Sequence, residues 1–335
     1  MSVFTRFDRQ NDVVENQKVK VSSGIFSGGS GTLTTFFTSS TQPSTGSFLH
    51  IYHQDPQTNA STAEIQFDVG YANFGGSGSQ GNTTKLTIGA RESAANYRQF
   101  ANVILPPSTE KFTFTSAPSA SEDFFFVAFN RARMREKIDP GNWELRLGDF
   151  KYIDDSGATN NPTVNEGGRV FNIVSGSLET GTGVIKTAAA SQTGGAFGSF
   201  YPDLGILIFN ASQLDSHGGF STGRSADAFD NNPEEFYDKI VAANYFQVRR
   251  EEDISSTNFF CRVLNKNYNF SANPTYFTGS DGAFTNATFF KDPKVFITQV
   301  GLYNDENELL AVAKLSKPIL KSYSREAIIK VKLDF

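Results

Sequence analysis

The chain has 335 residues, with 30 Lys and Arg against 35 Asp and Glu, a formal net charge of −5 and a pI near 5.4; that balance argues against a dedicated nucleic-acid binder, which carries a basic excess. One cysteine, Cys261, excludes an intrachain disulfide and a cysteine-based zinc cluster, and three histidines leave little for a histidine metal site. No apolar run approaches the roughly 18 residues of a membrane-spanning helix, and the polar, charged residues 1–9 do not read as a signal peptide, so a soluble protein of a reducing cytoplasm is expected.

Phenylalanine is the outlier of the composition: 33 residues beside 2 Met and 1 Trp, with 29 Gly. Its stiff, large ring suits a pleated sheet, and the glycines supply turns, which predicts a β-rich chain. The first strand signal covers 19–22, with Ile25 and Phe26 beyond it and a glycine-serine stop at 27–31. Further strands are predicted over 32–38 and 48–53, separated by a polar stretch containing Pro43. Residues 64–71 alternate most clearly, with Ile65, Phe67, Val69 and Tyr71 on one face and Glu64, Gln66 and Asp68 on the other. That is the pattern of a half-solvated antiparallel sheet.

A glycine-rich stretch at 75–81 precedes a short helix predicted over 93–105, with Tyr97, Phe100 and Ile104 on one stripe and Pro106-Pro107 as its stop. Strands follow at 111–115 and 123–130; the run Phe124-Phe125-Phe126-Val127 suits burial on both faces. Residues 130–138 read as one or two helical turns, closed by the turn Asp139-Pro140-Gly141-Asn142, before a strand at 143–147 that buries Trp143. The polar stretch 154–168 is the best linker candidate, which places a division near residue 160. Beyond it, strands are predicted at 169–174, 184–187 and 205–209. A helix follows from Asn232 as N-cap through Pro233, Glu234 and Glu235, burying Phe236, Ile240 and Ala243. The remaining signals are a strand at 258–264, a hairpin of 295–302 with 309–315, and a C-terminal strand over 327–335.

Chemistry-bearing patterns are sparse. Gly76-Ser77-Gly78-Ser79-Gln80-Gly81 has dinucleotide-binding spacing but leads into a strand-like segment, where that chemistry needs a helix N-terminus. His50 and His53 fall on opposite faces of a strand, which argues against a shared metal. His217 beside Asp215 and Ser216 has only sequence adjacency to suggest a triad. Cys261 reads as a small core residue, and 305–308 as a solvated hairpin tip without calcium-loop spacing. Arg131, Arg133, Arg135 and Lys137 form the densest basic cluster, more consistent with ion pairing within or between subunits than with nucleic acid. No spaced carboxylate pair stands out as acid and base, so no enzyme and no cofactor is expected.

Three stretches are informative together: Phe129 to Arg133 with Asp139 to Leu145; Phe259 to Val263 with Tyr268 to Phe277; and the tail, including Gly301 to Asn304, Leu309 to Pro318 and Val331 to Phe335. This set resembles virion structural proteins of contractile-tailed bacteriophages, especially T-even-like phages of marine cyanobacteria. The resemblance implies a particle component of the tail or baseplate, assembled in the host bacterial cytoplasm. It also implies contacts with copies of itself and with other virion proteins of tail, baseplate or neck, and neither nucleic-acid nor membrane partners.

The expected architecture is mainly β with minor α (α+β), as two packed antiparallel β-sheet domains, 1–160 and 161–335. Arg131, Arg133, Arg135, Lys330 and Lys332 are the candidate subunit-interface residues. Competing placements are a head–tail neck or a capsid-surface protein. Readings from other classes are a glycan-binding module at a tail tip, which needs exposed aromatic platforms, and a polysaccharide-degrading enzyme, which needs two carboxylates in a cleft.

Overall fold

Alternation in 64–71 becomes the strand Ile65–Asn73 in the computed structural model, which describes residues 4–26, 31–39, 48–78, 92–114, 117–156, 163–178, 185–186, 197–218, 220, 232–278 and 281–334. Most of the polar loops at 39–46 and 212–232, and the segment after Gly78, lie outside these residues. The fold is mainly β, built from antiparallel sheets with a few helices. Contacts divide it into a larger unit, Lys20–Glu252, and a terminal unit that joins Met1–Val19 to Asp253–Phe335.

The division expected near residue 160 is not where the contacts fall. Strands on either side of that point pair with each other, Phe150–Asp154 with Gly168–Ser175, and Thr163–Asn165 folds back on the start of the latter. A polar, glycine-containing stretch looks the same in sequence whether it links domains or loops out between two strands of one sheet.

In the larger unit the antiparallel order is Phe246 onward, Lys137–Leu147, Phe150–Asp154, Gly168–Ser175, Gly198–Tyr201, Ile206–Asn210, Asp123–Phe129, Ile65–Asn73 and Phe48–Tyr52. Residues 31–37 close this run on itself. Thr32–Leu33 pairs with Gln247 and Phe246, and Phe37 exchanges both backbone hydrogen bonds with Tyr52, at 3.2 and 2.8 Å. The strands therefore form a ring whose common face is one aromatic-rich cluster, including Phe67, Phe125, Trp143, Tyr152, Phe200, Phe209 and Phe246. Phe236 and Ile240 of the helix Asn232–Ala243 enter the same cluster.

The other face of the ring is covered locally. Phe124 and Phe126 point there, opposite Phe125 and Val127, and pack against Tyr97 and Ile104 of the helix Glu92–Ile104. Ile65–Asn73 is accordingly buried on both faces at Gln66, Gly70 and Ala72, where a half-solvated strand was expected. Tyr97 fixes this layer: its hydroxyl donates to the Ser121 carbonyl at 2.6 Å and accepts from the Phe112 amide at 3.0 Å.

One local expectation is corrected. The residues Asp139-Pro140-Gly141-Asn142 do not end an element but lie within the strand Lys137–Leu147. They form a wide bulge: Ile138 pairs with Arg250 and Trp143 with Val248, so four residues face Arg249 alone. Pro140 has no ladder donor to lose there, and Gly141, at φ +82°, donates to the buried Asp154 carboxylate at 2.8 Å. Asn232, at the start of its helix as predicted, also uses its side-chain amide nitrogen, which donates to the Gly78 carbonyl at 2.9 Å. A Cβ on Gly78, itself at φ +71°, would sit 2.4 Å from that amide nitrogen, so this tie requires glycine.

In the terminal unit, residues 256–263 of the strand Phe246–Val263 pair in register with Ala327–Asp334. Val295–Tyr303 and Leu309–Lys321 form a hairpin. The core is small: Val263, Leu302, Ile329 and Val331 are buried, with Phe259, Ile297, Val300 and Ile319 partly so. Lys321, 1% exposed, donates at 2.8 Å to the carbonyls of Asn265 and Ser322 and to Asn269 Oδ1. This places the end of the hairpin against the 264–270 segment.

Removing residues 330–335 strips Val331 and Leu333 from that core and leaves 256–260 without its partner. At about 1.5–3 kcal/mol for each buried apolar side chain, the terminal unit should lose cooperative unfolding, read as insoluble protein or rapid proteolysis of 253–329. Tyr97→Phe should cost about 1–3 kcal/mol in urea denaturation, because the Phe112 amide loses its acceptor in a buried site.

Candidate functional site

Asn130 starts a four-residue helix, Arg131–Met134, its side chain accepting the Ala132 amide hydrogen at 3.0 Å. The arginines that follow do not act together. Arg133 pairs with Glu64, Arg135 contacts Glu252 at 3.3 Å, and Arg131 stands exposed with no ion pair among the described residues. Glu252 also receives Arg250 at 2.8 Å. Two of the three arginines named from the sequence therefore serve ion pairs inside the larger unit. Lys330 and Lys332 belong to the terminal unit: both are exposed on Ala327–Asp334, and Lys332 pairs with Asp334 at 2.9 Å.

The histidines take separate partners. His50 Nδ1 lies 2.5 Å from Asp68 Oδ1, a cross-strand pair in register, and His53 approaches Gln66 at 3.1 Å. The hydrogen bond to Asp68 raises the His50 pKa above the usual imidazole value against the opposing effect of burial. Burial lowers that of His53, with Arg133 adding to the effect.

Buried carboxylates of the larger unit are used internally. Glu144, fully buried, accepts from Arg146 at 2.7 Å, Ser177 at 3.1 Å and the Leu178 amide at 2.7 Å. Burial raises the Asp139 carboxyl, opposed by a hydrogen bond from Ser22. Glu251 is held low despite burial by Lys20 at 3.0 Å and Lys137 at 3.2 Å. These groups stabilise the bulge and its neighbours rather than facing an open cleft. Trp143, 1% exposed, packs on Phe200 and offers no platform to a sugar.

A groove of about 1090 Å³ crosses the terminal unit between residues 4–15, the strand around Cys261 and the hairpin. Arg262 pairs with Asp12 across 2.6 Å at one side, and Arg6 reaches Asp305 at 3.4 Å at the other. Burial raises the Cys261 thiol, with the Asp12 charge adding to the effect. A thiol kept protonated, with no histidine among the described lining residues, is a poor nucleophile. No set of three His, Cys, Asp or Glu that could hold a metal occurs among the described residues. No family model, curated protein or solved structure matches the chain.

The most distinctive surface is the outer face of the hairpin. Its inner face sends Ile297, Val300, Leu302, Ala311 and Ala313 to the core. The outer face leaves Phe296 65%, Leu310 67%, Val312 55% and Leu309 52% exposed. Sequence reasoning missed these residues. The only signal was the run Leu309-Leu310-Ala311-Val312-Ala313, apolar in both strand phases where a strand buried on one side alternates.

The His50–Asp68 pair yields a signed pH effect. Because the folded pKa is raised, its stabilisation is full below 6.5, the ordinary imidazole value, and is lost as pH rises through the folded pKa. Both side chains are about a third exposed, so the pair is worth at most about 1 kcal/mol. A histidine NMR titration should place the His50 midpoint above 6.5, and Asp68→Asn should lower it.

Proposed function

We propose that this chain is a structural subunit of a contractile-tailed phage particle, placed in the tail or baseplate, and that it works through contacts between subunits. The likeness of residues 129–145, 259–277 and 301–335 to such proteins supports the placement. The outer face of the hairpin carries the reading. Leu309, Leu310 and Val312 gather toward the tip of a two-stranded element and Phe296 lies toward its other end, and all four face water. A lone soluble protein rarely keeps such a patch, and a contact with a neighbouring subunit removes it from solvent.

The test uses whole particles. Val312 is already exposed, so Val312→Asp should leave circular dichroism and thermal unfolding unchanged. The variant should nevertheless be absent from purified particles by mass spectrometry while the native chain is present. Normal incorporation of the variant would remove the support that this surface gives. Density for the native chain at the neck or on the head, rather than at the distal tail, would move the placement.

A further inference from the structure

One wall of the groove that Cys261 lines is the edge of a strand. Both core-side residues of Val295–Tyr303 (Ile297 and Val300) and outward ones (Gln299, Gly301 and Tyr303) line it, whereas no residue of Leu309–Lys321 does. The groove therefore runs along the side of Val295–Tyr303 that is turned away from its hairpin partner. Among the described residues that strand pairs only with Leu309–Lys321, and no backbone hydrogen bond leaves it on the other side. Alternate N–H and C=O groups thus point into the groove over about 30 Å of strand. Residues 4–15 form the opposite wall, and the floor includes Phe259 and Cys261, core side chains that stay only half-buried.

The edges of the terminal unit differ in how they are guarded. Leu309–Lys321 carries Pro318, Lys314, Lys317 and a bulge, and Ala327–Asp334 carries the exposed Lys330 and Lys332. Val295–Tyr303 has neither a charge nor a proline along its whole length. Natural sheets seldom leave such an edge open, because it is a template for another strand. Charge in the groove does not favour a polyanion: three Arg line it against four Asp or Glu, and Arg6–Asp305 and Arg262–Asp12 already neutralise each other. We propose that this edge accepts a donated strand: an extended segment of a neighbouring chain lies in the groove, hydrogen-bonds to Val295–Tyr303 and covers Phe259 and Cys261 with alternate side chains. Main-chain bonds supply the binding, so the segment needs apolar residues at every second position rather than one particular sequence. The outer face of the hairpin plays no part in this contact, and only the identity of the donor rests on the proposed function.

The full chain and a synthetic peptide test it. The probe alternates valine and threonine, is as long as Val295–Tyr303 and has a lysine at each end. At saturation the outward amides of 295–303 should exchange with deuterium about tenfold more slowly. Cys261, the one cysteine of the chain, should react about tenfold more slowly with a water-soluble disulfide reagent once the groove is filled. The same peptide with proline in place of each valine, which lacks the ladder donors, should protect neither. No protection at millimolar peptide, or equal protection by the proline peptide, would overturn the proposal. Slow exchange of 295–303 in the chain alone that fades on dilution would overturn it in favour of a second copy. Protection of Cys261 by maltohexaose and not by the peptide would overturn it in favour of a sugar. In purified particles 295–303 should exchange as slowly as with the peptide. Peptide binding by a chain absent from particles would sink the virion reading and leave the acceptor edge, whereas a chain present in particles with 295–303 exchanging as in the free chain would do the reverse.

Discussion

The larger unit depends on one aromatic contact across the inside of its strand ring. The Phe67 ring meets those of Phe246 at 5.1 Å, Phe129 at 6.0 Å, Phe26 at 6.1 Å and Phe36 at 6.5 Å. Phe67 and Phe246 sit on strands that do not pair, so their contact spans the interior. Closing a ring of this many strands leaves an inside too wide for small side chains. Phe fills it with no polar atom to satisfy, whereas Trp143 and Tyr152 in the same interior leave a buried N–H and O–H without a hydrogen-bond partner among the described residues. Closure in turn depends on residues 31–37. They take up the free edges of two strands at once and bring Leu33 and Phe36 into the same interior. Few strand edges are then left to recruit another chain.

The terminal unit is built differently. Its strands bury one face over a small core, so more of its stability lies in pairing than in packing. The buried Lys321 ammonium fits that picture: its three carbonyl acceptors position the hairpin where few apolar contacts are available to do so. The second strand of the hairpin carries the features that natural sheets use to prevent edge pairing, namely Pro318, Lys314, Lys317 and a bulge. Its outer face has Lys314 opposite Gln299 at its centre, with apolar side chains toward either end. A strand guarded along its edge and apolar toward the ends of its face is suited to contact through side chains rather than by strand addition.

Much of this was legible in the sequence where one physical signal acted alone. Period-two alternation found 64–71 and the C-terminal strand. The continuous run of Phe124 to Val127 correctly implied burial on both faces, and the Pro233-Glu234-Glu235 start located the helix Asn232–Ala243 within a residue. Misses came where two signals conflicted. The start of Phe246–Val263 lay hidden because Arg249, Arg250, Glu251, Glu252 and Asp253 look like a solvated break. The structure pairs several of those charges at short range, so the strand continues through them. Gly141 and Pro140 signalled a break in regular pairing, but single-chain patterns do not distinguish a turn from a wide bulge. The arginines at 131–135 were visible as a cluster, while their use in ion pairs depended on Glu64 and Glu252, which no local spacing brings near.

Net charge concealed the most informative electrostatic feature. The terminal unit holds 13 Lys and Arg against 11 Asp and Glu, and the larger unit 17 against 24, so the overall excess of acid is confined to one part of the chain. Even the near-neutral part is not electrostatically bland: Asp305, Glu306 and Glu308 gather at the hairpin tip, whereas Lys291, Lys294, Lys317 and Arg325 at the opposite end are interspersed with Asp292 and Glu326. Exposed charges at these separations gain little from attraction across one molecule, since at physiological salt they interact over about 8 Å. Their ordering therefore contributes almost nothing to the fold.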